Sequence, residues 1–222
     1  MTIATYAELK SAIENFMLRP GDSVVSGRAD EFIDLCEAQM MRGMEPPFPF
    51  PTKPLRARQM ETRNTSYTID AEYVDLPTGF LEHVDLYLDA DPRRVMEYVA
   101  PQMFDFLRPS SVSSDFPRIY TIIGSQMRVG PSPASAVTGV FTYYQEITPL
   151  DGTNTTNWIL TDAPHVYLYG SLMHAYCLTD QDFERAGPAA MAFTGGLNSL
   201  MSQEQRSRRS RQVTARTLTG TP

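Results

Sequence analysis

The residues that most often carry metal or acid-base chemistry are sparse in this sequence. Histidine occurs three times, at His83, His165 and His174, and none of them is paired with a cysteine or carboxylate at the spacing of a metal site. Each histidine is more simply explained as a surface or core residue. We therefore expect no metal site, no cofactor and no cofactor-binding residue.

Motifs for nucleotide chemistry and acyl transfer are absent as well. The two lysines, Lys10 and Lys53, lie outside any glycine-rich stretch that could hold phosphates. Gly170 and Ser171 lie in a helical pattern, whereas the serine of a hydrolase needs a sharp turn between a strand and a helix. Acidic pairs fall on helix faces that we expect to be solvated, so we predict no catalytic residues and no enzyme activity. These pairs are Asp34 with Glu37 and Asp182 with Glu184.

Charge is unevenly distributed along the 222 residues. The net charge of −7 argues against a protein whose main surface grips nucleic acid. A basic segment near the C-terminal end predicts a tail that docks on an acidic surface, with a plain solvated tail or contact with DNA phosphates as alternatives. The arginines of this segment are Arg206, Arg208, Arg209, Arg211 and Arg216.

The cysteines and the apolar runs indicate the compartment. Cys36 and Cys177 lie in helical apolar patterns and are interpreted as small buried hydrophobic residues, so we expect no disulfide and a reducing environment. The longest apolar runs fall far short of the roughly 20 residues of a membrane span. Residues 1–18 lack the basic start and apolar stretch of a secretory signal. We expect a soluble protein with no membrane partner.

Two amphipathic helices are predicted at the N-terminal end, paired as a hairpin. Thr5 and Glu8 form a capping-box pattern ahead of apolar residues at helical spacing, and Pro20 with Gly21 ends that pattern. The second helix is predicted from near Ser26 to about residue 42. Five prolines follow within residues 46–54 and predict an extended arm, folded over its own domain or strapped across a neighbouring subunit.

The apolar period changes from 3.6 to 2 between about residues 60 and 147, which predicts a β-rich module. Gly124 and Ser125 join two strand patterns as a tight hairpin turn, and Pro101 begins a short interrupting helix. The predicted strands cover residues 66–69, 81–88, 94–98, 119–123, 126–129 and 137–147.

Helical periodicity returns after the β-rich module. Pro164 opens an almost wholly apolar stretch, residues 166–178, which predicts a buried helix. A second helix is predicted over residues 180–209, with Gly195 and Gly196 as a candidate break. Trp158, Tyr167 and Tyr169 are predicted as structural core residues that tie the β insert to the apolar helix.

These patterns predict an α+β fold. We expect a helical bundle of two N-terminal and two C-terminal helices with an inserted antiparallel β-rich module. The predicted helical domain combines residues 1–59 and 150–209, the β-rich insert covers residues 60–149, and residues 210–222 form a flexible C-terminal tail.

One series of motifs resembles the phage head-to-tail adaptor family, also described as connector or head-completion proteins. The block Phe116–Pro131 contains Pro-x-x-Tyr-Thr-Ile-x-Gly followed by a short strand and a proline, and Val140–Tyr144 ends in Tyr-Tyr. The segments Asn154–Leu160 and Ala163–Gly170 match the family's Asn-Thr-Asn-Trp-like stretch and its Pro-x-x-Tyr-Leu-Tyr-Gly helix start. The resemblance extends from Thr5 to about Arg209.

The resemblance implies a virion structural protein at the head-tail junction, assembled in the bacterial host cytoplasm. Members form a homo-oligomeric ring, commonly a dodecamer, that binds the portal protein on one side and a tail or nozzle protein on the other. The C-terminal arginines would then dock on the portal. The overall acidic charge suits a lumen through which DNA slides without specific binding.

Two other function classes stay open at this point. The chain could be another tail-completion or tail ring component, which would differ from the adaptor in its contacts. An unrelated soluble binding module would instead have a ligand pocket.

Overall fold

The computed structural model describes residues 3–45, 49–107 and 116–209, with side chains described up to residue 202. The chain divides into two compact units. A helical unit draws on Met1–Arg58 and Ile147–Pro222, and a β unit comprises Gln59–Glu146. The assignment of separate folding domains, and of a flexible tail at residues 210–222, stays a prediction, and the tail lies outside the described residues.

The two N-terminal helices follow from their caps and apolar spacing. Helix α1 spans Tyr6–Phe16 and begins with the predicted capping box. The Thr5 hydroxyl oxygen accepts the Glu8 backbone N–H, and the Glu8 carboxylate accepts the Thr5 backbone N–H. Helix α2 spans Ser23–Arg42. It begins three residues earlier than predicted, because the Asp22 carboxylate accepts the Val24 N–H at 2.8 Å and caps the helix there.

Gly43 ends α2 at a point where a side chain would not fit. Its φ is +71°, and an added Cβ would lie 2.7 Å from the carbonyl oxygen of Thr52 and 2.9 Å from the backbone nitrogen of Pro54. Met44 and Thr52 pair as a short antiparallel bridge. The described ends of the proline-rich arm therefore fold back onto α2, while residues 46–48 lie outside the described part.

Three helices complete the helical unit. Helix α4 spans Trp158–Asp162, α5 spans Pro164–Ala175 and α6 spans Phe183–Arg209. A π-helical turn, Tyr176–Asp180, links α5 to α6. The predicted break at Gly195 and Gly196 is wrong, because α6 continues through both glycines.

Helix α5 is the centre of the helical unit and packs against both α2 and α6. Gly170 makes this close approach possible, since an added Cβ would overlap the Cys36 sulfur of α2 and lie 2.9 Å from the Phe193 ring of α6. Gly170 and Ser171 thus lie on a helix, as the sequence pattern indicated, and Gly170 allows the close packing of that helix.

The β unit contains two four-stranded sheets among its described residues. The strand bounds are β1 Glu61–Ile69, β2 Tyr73–Asp75, β3 Phe80–Leu88, β4 Arg94–Val95, β5 Glu97–Tyr98, β6 Ile119–Ile123, β7 Gln126–Gly130 and β8 Val137–Gln145. In the first sheet, the spatial order is β1, β8, β3, β4, and all neighbours are antiparallel. In the second, the order is β2, β7, β6, β5, and β5 pairs with β6 in parallel.

Alternating apolar residues from both sheets form the core of the β unit. Gly124, with φ +61°, makes the predicted tight turn between β6 and β7. Helix α3, Pro101–Leu107, lies between β5 and β6 in sequence and buries Phe104. The buried core residues include Tyr67, Ile69, Leu86, Leu88, Tyr120, Met127, Val129 and Phe141.

The predicted α+β fold is confirmed, with a helical part and a largely antiparallel β-rich part. Several details differ from the predictions. Strand β1 begins at Glu61, five residues before the predicted start. Helix α4 and strand β2 were not predicted, because five and three residues are too few to show a period. The pattern at residues 94–98 forms two short strands, β4 and β5, which belong to different sheets.

Candidate interaction sites

A buried carboxylate lies at the centre of the helical unit. Glu37 on α2 is only 3% exposed, and its Oε1 accepts the Tyr167 hydroxyl at 2.8 Å and the Leu150 N–H at 2.9 Å. Burial raises the pKa of Glu37 to about 7, against the lowering effect of these two hydrogen bonds. The expectation that the Asp34 and Glu37 pair is solvated is therefore wrong for Glu37.

Asn157 extends this hydrogen-bond network to the segment that precedes α4. Its side-chain amide donates to the Tyr167 hydroxyl oxygen at 2.6 Å and to the Thr148 carbonyl at 3.0 Å. Its Oδ1 accepts the Leu160 N–H at 3.0 Å and so caps α4. The network fastens residues 148–157 to α2 and α5, and we interpret it as structural.

The predicted aromatic core residues all lie in the helical unit. Tyr167 is fully buried on α5, and burial together with Glu37 raises the pKa of its hydroxyl. Trp158 is the first residue of α4 and is half-buried. Tyr169 is half-buried and lines a small apolar pocket near Ile3. The structure links Tyr167 to the segment before Trp158 through Asn157, while a tie to the β insert stays a prediction.

The histidines and cysteines differ in their burial and in their contacts. His83 stacks on the Tyr98 ring with centroids 4.2 Å apart, and His165 is exposed. His174 is buried, which lowers its pKa to about 4. Both thiols are free, and burial raises the pKa of Cys36, so this thiol stays protonated. Among the described residues, no group of His, Cys, Asp and Glu could hold a metal ion.

The β unit contains a buried arginine that sequence patterns did not single out. Arg128 on β7 donates through Nε to Glu72 at 2.8 Å and through Nη1 to Asp105 of α3 at 2.7 Å. Its guanidinium also lies 4.8 Å from the centre of the Phe104 ring. Arg128 therefore holds α3 against the second sheet. An arginine flanked by Met127 and Val129 in a strand pattern is the signal that could have indicated this role.

Several large apolar side chains are exposed. Phe106 on α3 is 84% exposed. Leu18, which follows α1, is 81% exposed, and its backbone is in the left-handed region with φ +60°. Met191 on α6 borders an open apolar groove of about 650 Å³ beside Phe50 and Pro51. A contiguous apolar groove is typical of surfaces that contact other proteins, whereas single exposed apolar side chains are common in any protein.

The C-terminal arginines are only partly within the described residues. Arg206, Arg208 and Arg209 lie in the last turns of α6, which ends at Arg209, the residue predicted as its end. Arg211 and Arg216 lie outside the described residues. Docking of these arginines stays a prediction.

The model of the SU10 adaptor protein family matches residues 4–217. The chain therefore belongs to this family of phage adaptor proteins, which is structural and non-enzymatic. The predicted membership of a phage adaptor family is confirmed, and with it a place in the virion.

A search of the curated proteins gives no match to this chain. Within residues 3–45, 49–107 and 116–209, no helix is both long and apolar enough to cross a membrane.

Proposed function

We propose that this protein is the subunit of a head-to-tail adaptor ring that joins the portal to the tail of a phage. The observation that carries the proposal is the family match over residues 4–217, which includes both the helical and the β residues. The ring, commonly a dodecamer in proteins of this kind, encloses part of the channel through which DNA leaves the head.

The negative net charge of the chain favours a DNA channel over a DNA-binding protein. Its net charge is −7, and Gln59–Glu146 contains twelve acidic residues against six arginines. A basic lumen would bind phosphates and slow the passage of DNA, whereas an acidic one repels them. DNA therefore passes without specific binding.

The C-terminal basic segment provides the contact with the portal. Five arginines lie between Arg206 and Arg216, and the first three of them belong to the last turns of α6. Guanidinium groups bind carboxylates in a planar, bidentate geometry, so an acidic crevice between portal subunits is a suitable partner. The opposite side of the ring then contacts a tail or nozzle protein at the head-tail junction.

Size-exclusion chromatography with light scattering tests the proposal when the protein is run alone and with purified portal. We expect a complex whose mass equals the portal plus a ring of this chain. A monomer in isolation is compatible with the proposal, because the portal can template the ring. If the two proteins elute separately at micromolar concentration, the proposed joining of portal and tail is wrong.

A further inference from the structure

Two open sheet edges meet at a groove in the β unit. Among the described residues, strand β1 is the edge of the first sheet and pairs with β8 alone, while β2 is the edge of the second sheet and pairs with β7 alone. The chain passes from one sheet to the other through residues 70–72. The two edges line a groove of about 410 Å³ that is mostly polar. An edge strand has backbone N–H and C=O groups on its outer side that can pair with another chain.

The residues of β1 leave room along this edge. Its pairing with β8 shifts between Asn64 and Tyr67, so the intervening residues form a bulge. Beyond the bulge, Thr68 and Asp70 are exposed, whereas Tyr67 and Ile69 point into the core. The Tyr67 hydroxyl donates to the Asp75 carbonyl at 3.0 Å and holds the two edges together. The groove thus has a fixed base and a rim of small polar side chains.

The groove is negatively charged. Asp70 and Asp75 line it, and the Asp75 carboxylate accepts a hydrogen bond from the neutral Gln126 amide at 2.9 Å. The arginines of the β unit with described contacts do not pair with Asp70 or Asp75. Arg94 lies over the Phe116 ring, and Arg63 and Arg93 lie over the Tyr87 ring. Arg128 lies over the ring of Tyr73 beside the groove, but its charge is paired with Glu72 and Asp105. The charge at this edge is complementary to a cationic partner and repels DNA phosphates.

We propose that this groove binds an extended segment of another virion protein, which adds as a strand to β1 and directs arginine or lysine side chains to Asp70 and Asp75. Strand addition supplies backbone hydrogen bonds, and side chains at alternate positions supply specificity. The inference rests on the proposed function, because an adaptor has a tail-side partner in addition to the portal. The basic C-terminal segment faces the portal in that function, so the groove is available to the second partner.

Titration calorimetry with a synthetic peptide tests this binding mode on the full chain. The probe is a nonapeptide in which arginine alternates with threonine and valine. The double variant Asp70→Asn/Asp75→Asn should weaken binding at least tenfold, while the control Asp89→Asn/Glu97→Gln, at exposed acids away from the groove, should change it less than twofold. Both variants should keep the wild-type melting temperature, because the changed side chains are exposed.

A second peptide separates strand addition from simple charge attraction. The same sequence with N-methyl groups on alternate residues keeps its charges but cannot pair along a strand edge, so its affinity should fall at least tenfold. In nuclear magnetic resonance spectra, the unmodified peptide should shift the amide signals of residues 64–75.

Equal binding to both double variants, or equal affinity of the N-methyl peptide, would overturn the proposal. Tighter binding at the same amides by a peptide of this chain's own residues 206–219 would overturn it too, because a second copy would then occupy the groove. The Asp70→Asn/Asp75→Asn variant should still join the portal. Failure of the wild-type chain to join the portal would contradict the proposed function and leave the groove result standing.

Discussion

The buried carboxylate of Glu37 makes a quantitative prediction about stability and pH. Its pKa is about 7 in the folded protein, whereas a glutamate in an unfolded chain has a pKa of about 4.3. The folded state therefore holds its proton more tightly than the unfolded state. The stability that this proton contributes is fully present below about pH 4.3 and is lost as the pH rises through 7.

The size of this effect follows from the two pKa values. One pKa unit corresponds to about 1.4 kcal/mol, so the complete loss is about 3 to 4 kcal/mol. About 2 kcal/mol of it falls between pH 5.5 and 8.5. Glu37→Gln is neutral at every pH and keeps an oxygen that can accept the Tyr167 hydroxyl and the Leu150 N–H. The variant should therefore gain about 2 kcal/mol relative to wild type across that interval.

Urea unfolding at pH 5.5, 7 and 8.5, followed by Trp158 fluorescence, measures the difference. Glu31→Gln is the matched control on the same helix, because its side chain is 60% exposed and pairs with Arg28. The control should show the same pH dependence as wild type within about 0.5 kcal/mol. If the free energies of unfolding of wild type and Glu37→Gln stay parallel from pH 5.5 to 8.5, the carboxylate is not buried as described.

Further predictions concern the other buried groups and the C-terminal end. Burial lowers the pKa of His174 to about 4, so the stability that the neutral side chain contributes is present above pH 6.5 and is lost as the pH falls. In urea unfolding between pH 7 and 4.5, the free energy of unfolding of His174→Gln should therefore fall by about 2 kcal/mol less than that of wild type. Arg128→Met should destabilise the protein by about 1 to 3 kcal/mol in the same assay, because it removes the charge-assisted hydrogen bonds to Glu72 and Asp105. Arg118→Met at an exposed site should cost less than about 0.5 kcal/mol. Trp158→Ala should cost less than the roughly 3 to 5 kcal/mol of a fully buried tryptophan, since Trp158 is half-buried; unchanged melting with loss of portal assembly would make it an interface residue. Truncation after Gln205 should shift the melting temperature by less than about 2 °C and weaken portal binding measured by interferometry. Added salt should weaken portal binding by the intact chain. Undiminished binding after truncation would refute portal docking by the arginines.

Helices and strands that are marked by a capping motif, a tight turn or a long hydrophobic periodicity could be predicted from the sequence. The capping box at Thr5 placed the start of α1, and the Gly124-Ser125 turn placed β6 and β7 within a residue. Both signals are local, because a cap or a two-residue turn satisfies its hydrogen bonds within a few residues. Helix α4 depends instead on Asn157, whose amide also reaches Thr148 and Tyr167, so its stability comes from contacts that a short window does not contain.

The buried network was missed for a related reason. Glu37 was interpreted as part of a solvated acidic pair, because acidic residues are seldom buried. Yet it lies four residues after Ile33 and three before Met40, which puts it on the apolar face of α2. Its partner, the Tyr167 hydroxyl, comes 130 residues later in the chain. No local pattern connects the two residues, whereas the position of Glu37 on the apolar face was a usable signal.

Electron cryomicroscopy of purified portal mixed with this chain is the decisive test of the proposed ring. We expect a closed ring of this protein attached to one face of the portal, with the helical and β units recognisable in each subunit and an open channel along the axis. Portal particles without added density, or density from single copies that never close into a ring, would contradict it.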